Sequence, residues 1–239
     1  MTILHRLRRL ARRCGVEALR YPQGRPEYQA NQLVNRHRVD LVLDVGANDG
    51  GYATTLRRSG YRGRILSFEP VREPFERLAV KAAGDPLWTV RPWVIGSSEE
   101  SVDIHVAGNG AASSSVLAML PRHSNAVPDS RYVRIDTVPQ RTLEALWPEF
   151  VGQHDRVLLK IDVQGSEKNV LVGAGRRLSQ CVGVQIELSF VPLYEGGMLY
   201  QEAFSWLAGQ GFVPMYILPG FTDTQSGQMY QCDLVCFRE

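Results

Sequence analysis

The chain has 239 residues, 44% of them hydrophobic and 22% charged; this is enough for one large α/β domain with a buried core and excludes intrinsic disorder and a fibrous repeat. The net charge of +2 is unevenly spread, because Met1 to Arg25 carries seven arginines against Glu17 alone, leaving 2 − 6 = −4 for the remainder. A mildly acidic body argues against a polynucleotide as the main substrate, so no nucleic-acid partner is expected.

The four cysteines, Cys14, Cys181, Cys232 and Cys236, form no CxxC pair, and no histidine pair has zinc spacing, so buried free thiols are expected. No segment has the apolar length of a membrane span, and the first residues lack the apolar run of a secretory signal. A reducing cytoplasm is the expected compartment.

Residues 1–38 read as a basic helical leader or cap. Leu4, Leu7, Leu10, Ala11 and Cys14 recur at helical spacing, with Arg6, Arg8, Arg9, Arg12 and Arg13 among them. Such a helix packs on the acidic body or makes peripheral contact with an anionic membrane. Residues 39–239 read as a single domain in which short apolar runs alternate with helical patterns, the signature of a parallel sheet covered on both faces.

The expected order is a strand at Asp40 to Asp44, a helix at Tyr52 to Ser59, a strand at Arg64 to Glu69, a helix at Pro74 to Ala83 and a third strand at Trp88 to Ile95. Residues 97–142 read as an irregular lid or acceptor segment with one strand at Val102 to Ala107. A fourth core strand at Val157 to Asp162, a helix at Lys168 to Leu178 and a fifth strand at Gly183 to Leu188 follow. A helix at Tyr200 to Ala208 precedes two apolar runs, Phe212 to Leu218 and Asp233 to Phe237, on either side of a turn rich in Gly, Thr and Ser. The fold class is therefore α/β, a Rossmann-like doubly wound seven-stranded sheet ending in an antiparallel hairpin.

Chemistry concentrates in two places. Asp44-Val45-Gly46-Ala47-Asn48-Asp49-Gly50 joins a strand to a helix, and its glycines allow a tight turn and close approach to a ligand. Pyrophosphate loops place an anion at such a helix, whereas Asp44 and Asp49 add negative charge and favour a cationic, phosphate-free ligand such as S-adenosylmethionine. Glu69, 25 residues beyond Asp44, ends the second strand where a carboxylate can accept from both hydroxyls of a ribose. Tyr52, at the start of the intervening helix, is grouped with them. An NAD-dependent oxidoreductase and a non-catalytic nucleotide-binding module share these features and are the alternatives.

The second place is Leu158-Leu159-Lys160-Ile161-Asp162-Val163-Gln164-Gly165-Ser166-Glu167, with Gln185-Ile186-Glu187 ending the next strand. Asp162 and Glu187 would project from the carboxyl ends of adjacent strands beside the crevice. They read as the catalytic pair, either a general base for an acceptor hydroxyl or the ligands of a divalent cation such as Mg²⁺. Ser113-Ser114-Ser115 is a candidate for polar contacts with an acceptor, His105, His123 and His154 are further candidate bases, and Trp93, Trp147 and Trp206 read as core.

The stretch from about Asp40 to Arg238 resembles the FkbM family of S-adenosylmethionine-dependent methyltransferases. The matching runs are LVLDVGANDGGYATTLRRSGYRGRILSFEP, ASSSVL at 112–117, RTLEAL at 141–146, LLKIDVQGSEKNVLVGA at 158–174 and the terminal QCDLVCFRE. The resemblance implies methyl transfer to a hydroxyl of a sugar, glycolipid, oligosaccharide or secondary metabolite. It places Asp44, Gly46, Asn48, Gly50 and Glu69 in the cofactor site and Asp162 in the acidic motif. Gln164 stands where many relatives carry Glu, which puts a three-acid metal cage in doubt. Tyr194-Glu195-Gly196-Gly197 resembles a family turn that shapes the acceptor pocket. The implied partner is a small-molecule or saccharide acceptor, and the sequence leaves a homodimer open.

Overall fold

The computed structural model describes residues 11–15 and 25–239. The amphipathic leader helix expected from Leu4 to Cys14 therefore lies outside the described residues except at its end, where 11–13 are helical and Cys14 is exposed. Residues 26–38 are part of the domain itself: helix α1 (Pro26–Arg36) buries Ala30, Leu33 and Val34 in the core.

The strands are β1 (Leu41–Val45), β2 (Arg64–Phe68), β3 (Trp88–Arg91), β4 (Val94–Ile95), β5 (Glu100–Ala107), β6 (Tyr132–Arg141), β7 (Val157–Ile161), β8 (Cys181–Ser189), β9 (Phe212–Pro219) and β10 (Gln231–Arg238). Seven form one sheet in the order β3-β2-β1-β7-β8-β10-β9. The first five of these are parallel, and β10 enters antiparallel between β8 and β9. The expected seven strands with an antiparallel terminal pair are thus observed.

Burial on both faces explains the continuous apolar runs of β1 and β7, all of whose residues are buried. One face carries Val42, Ile65 and Leu158 against α1, α2 (Gly51–Arg58) and α3 (Arg72–Ala82), which supply Leu33, Leu56 and Leu78. The other face carries Leu43, Phe68, Leu159 and Ile186. Leu146, Leu171 and Leu207 cover it from α5 (Leu143–Phe150), α6 (Glu167–Ala174) and α7 (Tyr200–Gly209). Burying a Leu or Phe side chain contributes roughly 1.5–3 kcal/mol, so these two layers supply most of the apolar driving force.

Two expectations need correction. The run Trp88 to Ile95 is not one strand, because β3 ends at Arg91 and β4 belongs to a second sheet ordered β4-β6-β5. The segment 97–142 is also more regular than an irregular lid. The antiparallel β5–β6 pair runs through most of it, and a short helix α4 (Pro121–Ala126) lies between the two strands. Weak alternation hides β6, in which half of the residues from Tyr132 to Arg141 are exposed and Pro139 is a poor strand former. Among the described residues no helix is long and apolar enough to cross a membrane.

Candidate active site

The strand registers align the functional residues. Val45 sits opposite both Phe68 and Ile161, and Ile161 opposite Ile186, so Glu69, Gly46, Asp162 and Glu187 each follow at the same level of four neighbouring strands. Antiparallel β10 brings Asp233 opposite Glu187. Strand side chains alternate faces, so the residues two positions earlier share the face of this row. These are Ser67, Asp44, Lys160 and Gln185, and they form a second polar row directly beneath it.

The lower row is buried and organised around Lys160, only 4% exposed. Its Nζ lies 3.6 Å from Asp44 Oδ1 and 3.2 Å from Asp162 Oδ2, and 5.5 Å from the centre of the Tyr52 ring. Burial opposes the ammonium charge, but Asp162, Asp44 and Asp233 outweigh it and raise the pKa of Lys160 above its ordinary value. Burial pushes the Asp44 carboxyl up while Lys160 and Ser67 pull it down. Asp44 Oδ2 accepts from the Ser67 hydroxyl, which itself accepts from the Trp88 indole, both at 3.0 Å.

Above these rows lies a cleft enclosing about 800 Å³ of space open to solvent. Val45, Gly46, Asn48 and Glu69 line it together with Trp93, Val94 and Ile95, and Ile104 of β5 joins Ala111, Ala112, Ser114, Ser115 and Val116 of the connection between β5 and β6. Asp162, Val163, Gln164 and Ser166 complete it. Three of the seven expected cofactor residues, Gly46, Asn48 and Glu69, border the cleft directly.

The other four have different positions. Asp44 is fully buried below the wall. Asp49 is ion-paired to Lys81 at 2.8 Å, which lowers its pKa. Gly50 turns into α2 with φ 83°, and a Cβ there would meet Leu78 at 2.9 Å and Trp88 at 3.0 Å. The Tyr52 hydroxyl is buried without a hydrogen-bond partner. Gly46 is required by backbone crowding, since its Cβ would lie 1.7 Å from the carbonyl oxygen of Asp162.

Glu69 accepts from the backbone amides of Asn48 (2.8 Å) and Val71 (2.9 Å), one on each carboxyl oxygen, and so fixes both turns bordering the cleft. Burial raises its pKa to about 7, against the pull of those two amides. Each oxygen retains a further lone pair for a hydroxyl.

Asp162 and Glu187 are brought together by Gln164, whose Nε2 donates to Asp162 Oδ1 and to Glu187 Oε2, each at 2.9 Å. Gln231 Nε2 also donates to Glu187 Oε2 at 2.6 Å. Burial and then the Asp162 charge push the Glu187 carboxyl well above its usual range. The donor set does not fit the expected divalent cation: an amide NH₂ fills the space between the two carboxylates, and an ammonium holds the far side of Asp162. No group of three or more His, Cys, Asp or Glu among the described residues could hold a metal.

Of the histidines, His123 is buried, its pKa lowered to about 4 by burial, and its Nε2 is 3.3 Å from the Ser113 hydroxyl. His105 stacks on Tyr132 at 4.8 Å, and His154 is on the surface. Trp147 is buried as expected, whereas Trp93 borders the cleft. Lys160, Gln185 and Asp233 received no role from the sequence. For the first two the signal was present as K-x-D and Q-x-E at the ends of otherwise apolar strands, a period-two pairing that puts both polar residues on one face, whereas Asp233 is brought to the site only by the pairing of β10 with β8.

The strand order defines a doubly wound α/β domain whose cleft lies at the carboxyl ends of β1, β2 and β7, where open sheets of this class bind ligands. The family model described as the methyltransferase FkbM domain matches residues 44–214, and the chain belongs to that family. The 2-O-methyltransferase NoeI of Sinorhizobium fredii (strain NBRC 101917 / NGR234) is 28% identical over 163 residues, 65% of this chain and 66% of the relative, just under two thirds of its length. Among solved structures, magnesium protoporphyrin IX methyltransferase from Synechocystis PCC 6803, with bound SAM, aligns with TM-score 0.46 and 12% identity over 100% of this chain and 92% of that one. The fibrillarin/Nop5p complex aligns with TM-score 0.46 and 12% identity over 89% of this chain and 83% of that one.

Proposed function

We propose that the protein is an S-adenosylmethionine-dependent O-methyltransferase acting on a hydroxyl of a saccharide, glycolipid or related small molecule. The observation that carries this reading is the shared level of Glu69, Gly46 and Asp162 along one cleft, with a buried cation beneath. Glu69 and Asn48 suit the hydroxyl groups of a ribose, and the acidic surroundings suit a cationic ligand without phosphate. When bound, S-adenosylmethionine supplies a methyl group on a positively charged sulfur.

Asp162 is one-third exposed and faces the cleft, so it can reach an acceptor hydroxyl while Lys160 and Gln164 hold its carboxyl in place. Glu69 and Asn48 would hold the cofactor, which would supply an electrophilic methyl group, and Asp162 would take the proton of the acceptor hydroxyl. Orienting the acceptor hydroxyl at Asp162 would supply the remaining gain. Glu187, linked to Asp162 through one amide, holds Gln164 in place from the far side. A labelled-methyl screen over sugars, oligosaccharides and glycolipids tests the reading. Transfer to oxygen that is lost in Asp162→Asn supports it; transfer to nitrogen or carbon, or none to any hydroxyl, counts against it.

A further inference from the structure

We propose that Gln164 is a positioning residue whose side-chain amide occupies the place between Asp162 and Glu187 that a bridging cation would take, so that the acid pair is assembled without a metal. Both N–H groups of one NH₂ are used, one on each carboxylate at 2.9 Å. The orientation of the amide is fixed from its other end, because the Tyr194 hydroxyl donates to Gln164 Oε1 at 2.8 Å. Flipping the amide would set its oxygen against the oxygens of two carboxyl groups, which leaves the orientation with NH₂ between them.

The backbone is held with equal care. Gln164 has a left-handed φ of 57°, which a non-glycine residue adopts only where its surroundings enforce it. The Ser115 hydroxyl donates to the Gln164 carbonyl at 2.7 Å, and a Cβ on Gly165 would stand 2.7 Å from the Tyr194 Cβ, so this turn is packed directly on Tyr194. Lys160 on Asp162 and Gln231 on Glu187 complete the donor set at its outer ends. Each carboxylate is therefore neutralised or hydrogen-bonded by this chain, leaving no gap that demands an ion. Replacing the amide by a third carboxylate would invert this, giving hard oxygen donors with nothing to offset their repulsion except a cation.

The inference deepens the role given to Asp162 and rests on that reading for its catalytic meaning alone, since metal binding is measured without cofactor or acceptor. Titration of the full-length protein with MnCl₂, followed by calorimetry and by the manganese paramagnetic resonance signal, should show no binding to the wild type that depends on Asp162. Gln164→Glu should gain a 1:1 site at least about tenfold tighter, lost again when Asp162→Asn is added. Wild-type binding abolished by Asp162→Asn, or no gain in a folded Gln164→Glu, overturns the proposal.

If Gln164→Glu does not fold, the ¹⁵N-labelled wild type decides. Its Gln164 NH₂ resonance should stay sharp under stoichiometric MnCl₂ and move in Tyr194→Phe; selective broadening by manganese, or no movement in Tyr194→Phe, overturns the proposal. Failure of methyl transfer with the manganese results intact would count against the function and leave the amide bridge standing.

Discussion

At the scale of single residues, the site separates groups that shape the cleft from groups that act in it. Gly46 belongs to the first kind: a methyl group there would overlap the Asp162 carbonyl oxygen, on a backbone already at φ 79°. Gly46→Ala is expected to destabilise the fold by about 3 kcal/mol or more, the sum of left-handed strain and overpacking, and urea unfolding will measure it. Asp162 belongs to the second kind. Asp162→Asn keeps the shape of the side chain and removes the base, so S-adenosylhomocysteine affinity should change by less than about threefold while methyl transfer falls about 10²–10⁴-fold. Parallel losses in binding and transfer would assign Asp162 to the cofactor pocket instead. Lys160 is the residue whose importance is least visible in isolation, a cation in a strand interior that only makes sense with Asp44 on one side and Asp162 on the other.

At the scale of elements, the parallel core was the most legible part. Strands β1, β2, β7 and β8 are short apolar runs ending in Asp, Glu or Gly, and the alternation with helices fixes a doubly wound sheet. The small sheet was not legible, because β6 alternates little and β4 has two residues, and their pairing is decided by contacts between distant segments. The site was legible in its outer row and not in its bridging: Asp162, Glu187 and Glu69 could be found at strand ends. That Gln164 would join two of them depended on a left-handed turn and on Tyr194, 30 residues later. Differences in burial between strands also set local stability. Hydrogen exchange should be slowest in the wholly buried β1 and β7 and faster in the edge strand β9, where Val213, Met215 and Ile217 are exposed. Equal protection of β9 and β1 would show that another surface covers that edge.

At the scale of the whole molecule, a chain with a mildly acidic body buries several carboxyls around one cleft, and this links its stability to pH. Burial raises Glu69 and Glu167 to about 7 and Asp233 to about 6, above the ordinary values of 4.5, 4.5 and 3.8. The folded state therefore holds more protons than the unfolded one in that window, so these groups favour folding fully below their unfolded values and the advantage is lost as pH rises to about 7. For Glu69 alone the change is on the order of 3 kcal/mol, and Glu69→Gln should flatten the dependence of the urea midpoint between pH 5 and 8. Surface acids paired to cations, such as Asp49 with Lys81, act in the opposite sense and only below the ordinary carboxylate range. The cleft over β1, β2 and β7, bordered by Glu69 and Asp162, suits a cationic adenosyl cofactor better than a dinucleotide. Calorimetry of the full-length protein with S-adenosylhomocysteine and with NAD tests it most directly. One equivalent of S-adenosylhomocysteine should bind, at least about tenfold more weakly in Glu69→Ala, with no heat from NAD; binding of NAD without S-adenosylhomocysteine would contradict the account.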